Sequence, residues 1–348
     1  MQGRPTRDIT TLPLPPTLKN KIVQAGFRDV RDFDGYRPVE LAKELRVTQE
    51  EALSILRTIK ENTSATTAAP AGSLFAEGKT AFEMITQTEN RFVRTMCEDI
   101  DQMLGAGVPV GQLTEFCGVP GIGKTQIGMQ LATSVQIPKE FGGSGGHCIY
   151  IGSFVVERVM EMAQAIIDFM QQQAQASNDP GKVQAAAALT VEDMLRHIHY
   201  YRIHDYVEQI ALLNTLPAFL KEHPEVQLVV IDSITFHFRH DFDDYMARTR
   251  VLTSMAQTLM SLADEFRLAV TTKVTERTQG SAMLGDRDSN NQLIPALGES
   301  WGHACTNRVI LYWRDGQRYA HLHKCPSQES KTVPFVVLSD GIRNLPQL

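Results

Sequence analysis

No run of about 18 consecutive apolar residues occurs anywhere in the 348-residue chain. Nor does the chain open with the succession of positive charge, apolar stretch and small residues that marks a secretory leader. The reading is therefore a soluble chain of the cell interior with no membrane partner. Cysteine is sparse: Cys97, Cys117, Cys148, Cys305 and Cys325 are scattered, odd in number and lack a C-x-x-C pair. Cys117 and Cys148 fall in apolar runs, where a plain buried thiol is expected, and a reducing compartment follows. Excess positive charge is missing too, since 34 Lys and Arg stand against 40 Asp and Glu, a net charge of −6. No global field draws such a chain onto nucleic acid, so any such binding must come from local patches or from partners. Among the histidines, His197, His199, His204, His237, His240, His321 and His323 include no H-E-x-x-H pair, and motif alone gives no metal site.

What is present is a phosphate-binding pattern. Gly118-Val119-Pro120-Gly121-Ile122-Gly123-Lys124-Thr125 completes G-x-x-x-x-G-K-[ST]. The glycines let backbone N–H groups turn inward around phosphate oxygens, Lys124 brings a point charge to the β- and γ-phosphates, and the Thr125 hydroxyl suits Mg²⁺. Gln112–Cys117 reads as the strand entering the loop, and Ile127, Leu131 and Val135 as the apolar face of the helix leaving it. The expected ligand is ATP with Mg²⁺, held by the loop and by Gln126 just beyond it.

Three regions are expected along the chain. Residues 1–62 carry helically spaced apolar positions (Leu18, Ile22, Val23; Leu41, Leu45; Ala52, Ile55, Leu56, Ile59), which predict a small all-helical domain. Residues 63–79 are small and polar, as a linker is. Residues 80–348 alternate β-rich and helical runs. Strands are predicted at His147–Ile151, Arg196–Ile203, Gln227–Asp232, Arg267–Val270, Arg308–Trp313, Tyr319–Lys324 and Thr332–Leu338. The first four, separated by helices, predict an α/β fold with a mostly parallel, doubly wound sheet; the closely spaced last three suit antiparallel pairing. Leu228-Val229-Val230-Ile231 reads as a strand buried on both faces, with Asp232 emerging at its carboxyl end, where such sheets place ligands. Asp232 is the candidate to hold Mg²⁺ through water, and Lys124 and Asp232 are the candidate catalytic pair. Over 100 residues separate loop and acid, a spacing that suits a RecA-like ATPase better than a small nucleotide kinase.

Further segments carry a family resemblance. Ile100–Pro109, Gly111–Thr125, Ile137-Pro138 and Gly142–Ile151 resemble the core of eukaryotic RecA-type recombinases. Phe236–Asp241 and Pro295–His303 narrow this to the C-type Rad paralogue branch. The resemblance spans nearly the whole chain. It implies a RecA-like P-loop ATPase core and a helix-hairpin-helix-like amino-terminal domain. The implied role is in homologous-recombination repair of DNA double-strand breaks, in the nucleus and also the cytoplasm. The implied partners are other RecA-type recombinase paralogues in a hetero-oligomer and single-stranded or branched DNA, bound weakly by the isolated chain. By the same resemblance, Arg158 stacks on adenine. Two loops, 239–250 and 271–293, would contact DNA through Arg239, Arg248, Arg250, Lys273 and Arg277.

Three departures temper that picture. The family's second core strand continues through Asp-Thr-Glu before Gly-Ser-Phe, and its Glu polarises the attacking water; here Ile151 passes directly to Gly152-Ser153-Phe154, leaving Glu157 as the nearest acid. The family's Thr-Asn-Gln sensor is likewise missing, because Val270 runs straight to Thr271-Thr272-Lys273. Both gaps are expected to shorten buried strands. Where a hairpin glycine belongs, the chain has Arg46-Val47, which weakens a DNA-backbone role for the small domain. Weak hydrolysis follows, and a nucleotide-locked scaffold stands as the alternative, ahead of an unrelated P-loop kinase. The linker has Leu74-Phe75-Ala76 and then Phe82 in place of the family's Phe-x-x-Ala docking segment, so Phe75 and Phe82 are the candidate interface residues.

Overall fold

The computed structural model describes residues 15–33, 36, 38–45, 47–48, 51–52, 55–56, 58–59, 92–177, 179–234, 238, 245–275, 277–278, 293–294, 297 and 299–346. The chain divides into two compact units, Met1–Thr88 and Glu89–Leu348. The expected linker, Phe75, Phe82 and Arg46 lie outside the described residues.

In the first unit the helix Pro16–Gln24 starts on proline, whose fixed φ and missing N–H suit a first turn. A 3₁₀ turn, Val30–Phe33, and the helix Pro38–Leu45 follow. Leu18, Ile22, Phe27, Phe33, Leu41, Leu45, Ala52, Ile55 and Ile59 pack as one core, while Val23, marked by the same helical spacing, is exposed. Thr48 and Glu51 cap each other's backbone N–H groups at 3.2 and 2.8 Å, a reciprocal helix-start device.

The second unit is built on a nine-stranded sheet. In chain order the strands are β1 (Phe92–Val93), β2 (Val108–Pro109), β3 (Leu113–Gly118), β4 (His147–Gly152), β5 (Ile198–Tyr201), β6 (Val226–Asp232), β7 (Ala269–Thr275), β8 (Arg277–Thr278), β9 (Leu293–Ile294), β10 (Asn307–Arg314), β11 (Gln317–Lys324), β12 (Thr332–Leu338) and β13 (Gly341–Arg343). The large sheet runs β13-β12-β11-β10-β3-β7-β6-β4-β5. From β10 through β5 all neighbours are parallel, and from β10 outward to β13 they alternate. β1 pairs with β2, and β8 with β9, as separate short ribbons.

Burial on both faces explains the near-continuous apolar strands. In β6, Leu228 and Val230 face one layer while Val229 and Ile231 face the other; in β4, Cys148 and Tyr150 alternate with Ile149 and Ile151. The first layer holds the helix Lys124–Ser134, with Ile127, Leu131 and the following Val135 fully buried. The second holds Tyr206–Glu222 and Tyr245–Glu265.

Two expectations change. The strand predicted over Arg196–Ile203 is shorter, because Thr190 caps a helix Val191–Arg196 by accepting from the Asp193 N–H at 3.1 Å. The strand predicted to end at Val270 runs on to Thr275. The gap there does not shorten β7. The residues that follow are drawn onto the sheet, since Leu113–Gly118 of β3 offers partners from Val270 through Thr275.

Candidate nucleotide-binding site

β3 delivers the phosphate loop to the carboxyl edge of the sheet, between β10 and β7. Gly118 lies opposite Leu311 and Thr275 with φ of 151°, and a Cβ there would strike the Leu311 carbonyl oxygen. Gly123, at φ of 115°, turns the chain into the helix Lys124–Ser134. Both positions need glycine for backbone reasons alone. The helix opens with no side-chain cap, so its first N–H groups stay directed toward an anion. Lys124 is 5% exposed, and its Nζ donates to the Gly118 and Val119 carbonyls at 2.7 and 2.6 Å. The loop's cation thus lies across the loop itself.

Beside it, Asp232 ends β6 opposite Gly152 of β4. Its carboxylate is buried. Tyr150 donates its hydroxyl to Asp232 Oδ2 at 3.1 Å. Burial, with the adjacent carboxylate, pushes the Tyr150 phenol well up from its ordinary value, which keeps it a donor. Lys273 Nζ stands 2.5 Å from Asp232 Oδ1 and donates to Thr125 Oγ1 at 2.7 Å. Asp232 Oδ1 has no hydrogen bond of regular geometry, so the ammonium's charge is what offsets it.

These contacts bear on Mg²⁺. Thr125 Oγ1 was expected to hold it directly and the Asp232 carboxylate through water, and an ammonium already bridges them. Two unit charges at about 4 Å interact by about 4 kcal/mol at an effective dielectric of about 20, and a dication doubles the repulsion. Mg²⁺ on Thr125 Oγ1, with a water to Asp232, does not fit while Lys273 fills the space between them.

Lys273 was read as a residue of the second DNA loop; it lies on β7 instead, with its side chain 22% exposed. Arg248 and Arg250 lie on the helix Tyr245–Glu265, Arg250 exposed and Arg248 half-buried. Arg277 is on β8; its side chain and the whole of Arg239 lie outside the described residues. Arg158 extends from the helix Val156–Ser177. Its Nε donates to Gln126 Oε1 at 2.7 Å, Nη1 to Glu161 Oε2 at 2.7 Å and to the Ser339 carbonyl, and Nη2 to the Leu338 carbonyl. Four of the five guanidinium N–H groups are thus used, so the face and one N–H of Nη2 are left for a base.

A cleft of about 600 Å³ opens at the carboxyl ends of β4 to β7, lined in part by Phe154, Tyr200, Arg202, Gln209, Asp232 and Lys273. Asp232 is the only carboxylate among its described lining residues. Glu157 is exposed on the first turn of its helix. Tyr150 and Gln209 were not foreseen. Tyr150 carried a signal, as the one hydroxyl in an apolar strand; Gln209, 2% exposed on a helix, carried none.

A Rad51 family model matches residues 87–345. The chain is 43% identical over 345 residues to "DNA repair protein RAD51 homolog 3" of Cricetulus griseus, covering 97% of this chain and 92% of that protein. The chain belongs to the Rad51 family. The protein of the same name from Dictyostelium discoideum is 41% identical over 273 residues, 77% of this chain and 70% of that one. "DNA repair and recombination protein RadA" of Aeropyrum pernix is 29% identical over 350 residues, 98% of both chains. This Rad51-family chain therefore has the RecA-type core that its phosphate loop and sheet order expected, and the unrelated kinase drops out.

Proposed function

We propose that this chain is an ATP-binding recombinase paralogue that acts in homologous-recombination repair of DNA double-strand breaks. It works in the nucleus, with a cytoplasmic pool, as one subunit of a hetero-oligomer with other RecA-type paralogues. DNA, single-stranded or branched, is engaged chiefly through that assembly. The observation that carries the reading is the Gly118–Thr125 loop at the carboxyl end of β3 within a Rad51-family core, in a chain whose relatives are named for DNA repair. Lys124→Ala removes the loop's mobile cation, and losing a charge-assisted contact to phosphate costs about 1.5–3 kcal/mol. A titration with a fluorescent ATP analogue should show the affinity falling by at least about tenfold. Equal binding by parent and variant would place nucleotide elsewhere.

A specific observation favours the scaffold form of this reading. The single carboxylate described in the cleft, Asp232, is held by Tyr150 and Lys273, and is not available to take a proton from water. Lacking a positioned base forgoes a factor of roughly 10²–10⁴ in rate. Steady-state phosphate release by the isolated chain should therefore be slow, with and without DNA. Turnover of about 10 s⁻¹, typical of enzymes, would mean that another acid serves, and Glu157→Gln would then identify it or clear it.

A further inference from the structure

At the opposite end of the same strands, four histidines gather around one glutamate. β4 begins at His147, β5 carries His199, and Glu225 immediately precedes β6. The parallel register sets Ile149 beside His199 and His147 beside Val226, so the three side chains meet at the amino-terminal edge. One donor atom from each of His147, His199 and Glu225 lies within 4.8 Å of the other two. His147 Nδ1 is 3.8 Å from Glu225 Oε1. His147 Nδ1 and His199 Nε2 are both buried with no hydrogen-bond partner. Orphaned buried ring nitrogens are uncommon and ask for an explanation. Around them, His197 stacks on His147 with centroids 4.1 Å apart, and the His199 and His223 rings lie 5.4 Å apart. His223 Nδ1 sits 2.9 Å from Glu225 Oε1. Burial and the neighbouring rings hold His147 and His199 below the usual imidazole range.

We propose that His147, His199 and Glu225 form a zinc site that ties together the amino ends of β4, β5 and β6. Two imidazoles and a carboxylate suit Zn²⁺ better than Mg²⁺ or Ca²⁺, which take oxygen. Bond lengths of about 2.0–2.2 Å require the donors to close in from their present spread by about 1 Å. All three are on or next to strand ends and partly exposed, so rotamer adjustment supplies that movement. His223 orients Glu225 from outside, as carboxylate partners do at such sites, and a water completes a tetrahedron. The site lies away from the nucleotide end, so its occupancy bears on the sheet and not on the phosphate loop.

The test uses the full chain, stripped with a chelator and titrated with Zn²⁺ against a competing chromophoric chelator, alongside thermal unfolding. The parent is expected to take up one equivalent and to melt higher when loaded. The His147→Ala/His199→Ala double variant is expected to lose at least about tenfold in zinc affinity, and Glu225→Gln a smaller amount. Glu222→Gln, on the neighbouring helix end, should change nothing. Binding of the fluorescent ATP analogue serves as the control that the variants are folded. Cobalt on the parent alone gives a second readout, in which d–d bands of a tetrahedral nitrogen–oxygen set support the site. No uptake by the parent, equal uptake by the folded double variant, or a cobalt–thiolate charge-transfer band pointing to cysteine would each overturn it.

Discussion

One ammonium decides what kind of ion the nucleotide end accepts. Lys273 Nζ contacts both Asp232 Oδ1 and Thr125 Oγ1, and it is covalently fixed, so it competes at no concentration cost. The parent's affinity for an ATP analogue should accordingly change by less than about tenfold between excess Mg²⁺ and excess chelator. Lys273→Ala frees the two oxygens, and its affinity should become Mg²⁺-dependent by more than about tenfold. A parent that needs Mg²⁺ as strongly as the variant does would show that the lysine leaves when nucleotide arrives. The phosphate loop was legible in the sequence because its chemistry is local: glycines, a lysine and a threonine within eight positions. Lys273 was not. Its place depends on how far β7 follows β3, a register between segments far apart in sequence. Asp232 was legible because four apolar residues delivered it to a strand end. Its partner Tyr150 came from the adjacent strand, which no reading of β6 alone could supply.

Elements also hold charges that their own sequence does not balance. The helix Glu98–Met103 starts at Cys97 without a side-chain cap. Asn344 Oδ1 accepts from the Asp99 N–H at 3.1 Å instead, and Asp101 reaches back to accept from Thr95 N and Oγ1 at 2.7 and 2.8 Å. Burial raises the Asp101 carboxyl to about 6. The folded chain therefore holds that proton more tightly than the unfolded chain, whose carboxyl titrates near 4. The stability this group contributes is full below about pH 4 and falls as pH rises through about 6, by about 3 kcal/mol in all. Asp101→Asn keeps the acceptor and removes the titration. Urea unfolding of parent and variant across that window should show the parent losing stability relative to the variant; parallel curves would exclude the effect. Strand type and order of appearance were largely readable from alternation and from the runs that bury both faces. Boundaries were less so. Thr190 is a cap only in the presence of the helix it starts, and Thr271–Thr275 becomes strand because β3 pairs along all of it and β6 along Thr271 and Thr272.

At the scale of the whole molecule, the sequence puts Phe75 in the polar stretch 63–79 and Phe82 just beyond it. Burying one phenylalanine recovers about 1.5–3 kcal/mol, and we propose that Phe75 and Phe82 make that gain in a partner's pocket. Co-purification with other recombinase paralogues should weaken with Phe75→Ala and, less strongly, with Phe82→Ala. Undiminished complexes from both variants, or long filaments of this chain alone, would refute that assembly. The family core was legible because its motifs are spread over the whole chain; partner contacts were not, because a docking residue is defined by the surface it meets. The sheet order has one more consequence, and it concerns time. β3 lies between β7 and β10, and Thr114 of β3 bonds to Asn307, 193 residues later. A ribosome adding 5–20 residues per second needs roughly 10–40 s to cover that distance. β3, buried at all six positions, has both edges bare until Thr275 completes β7, and one edge bare until β10 follows. Translation speed between codons 118 and 275 therefore sets how long a chaperone must stand in for two absent neighbours, and from there to codon 314 for one.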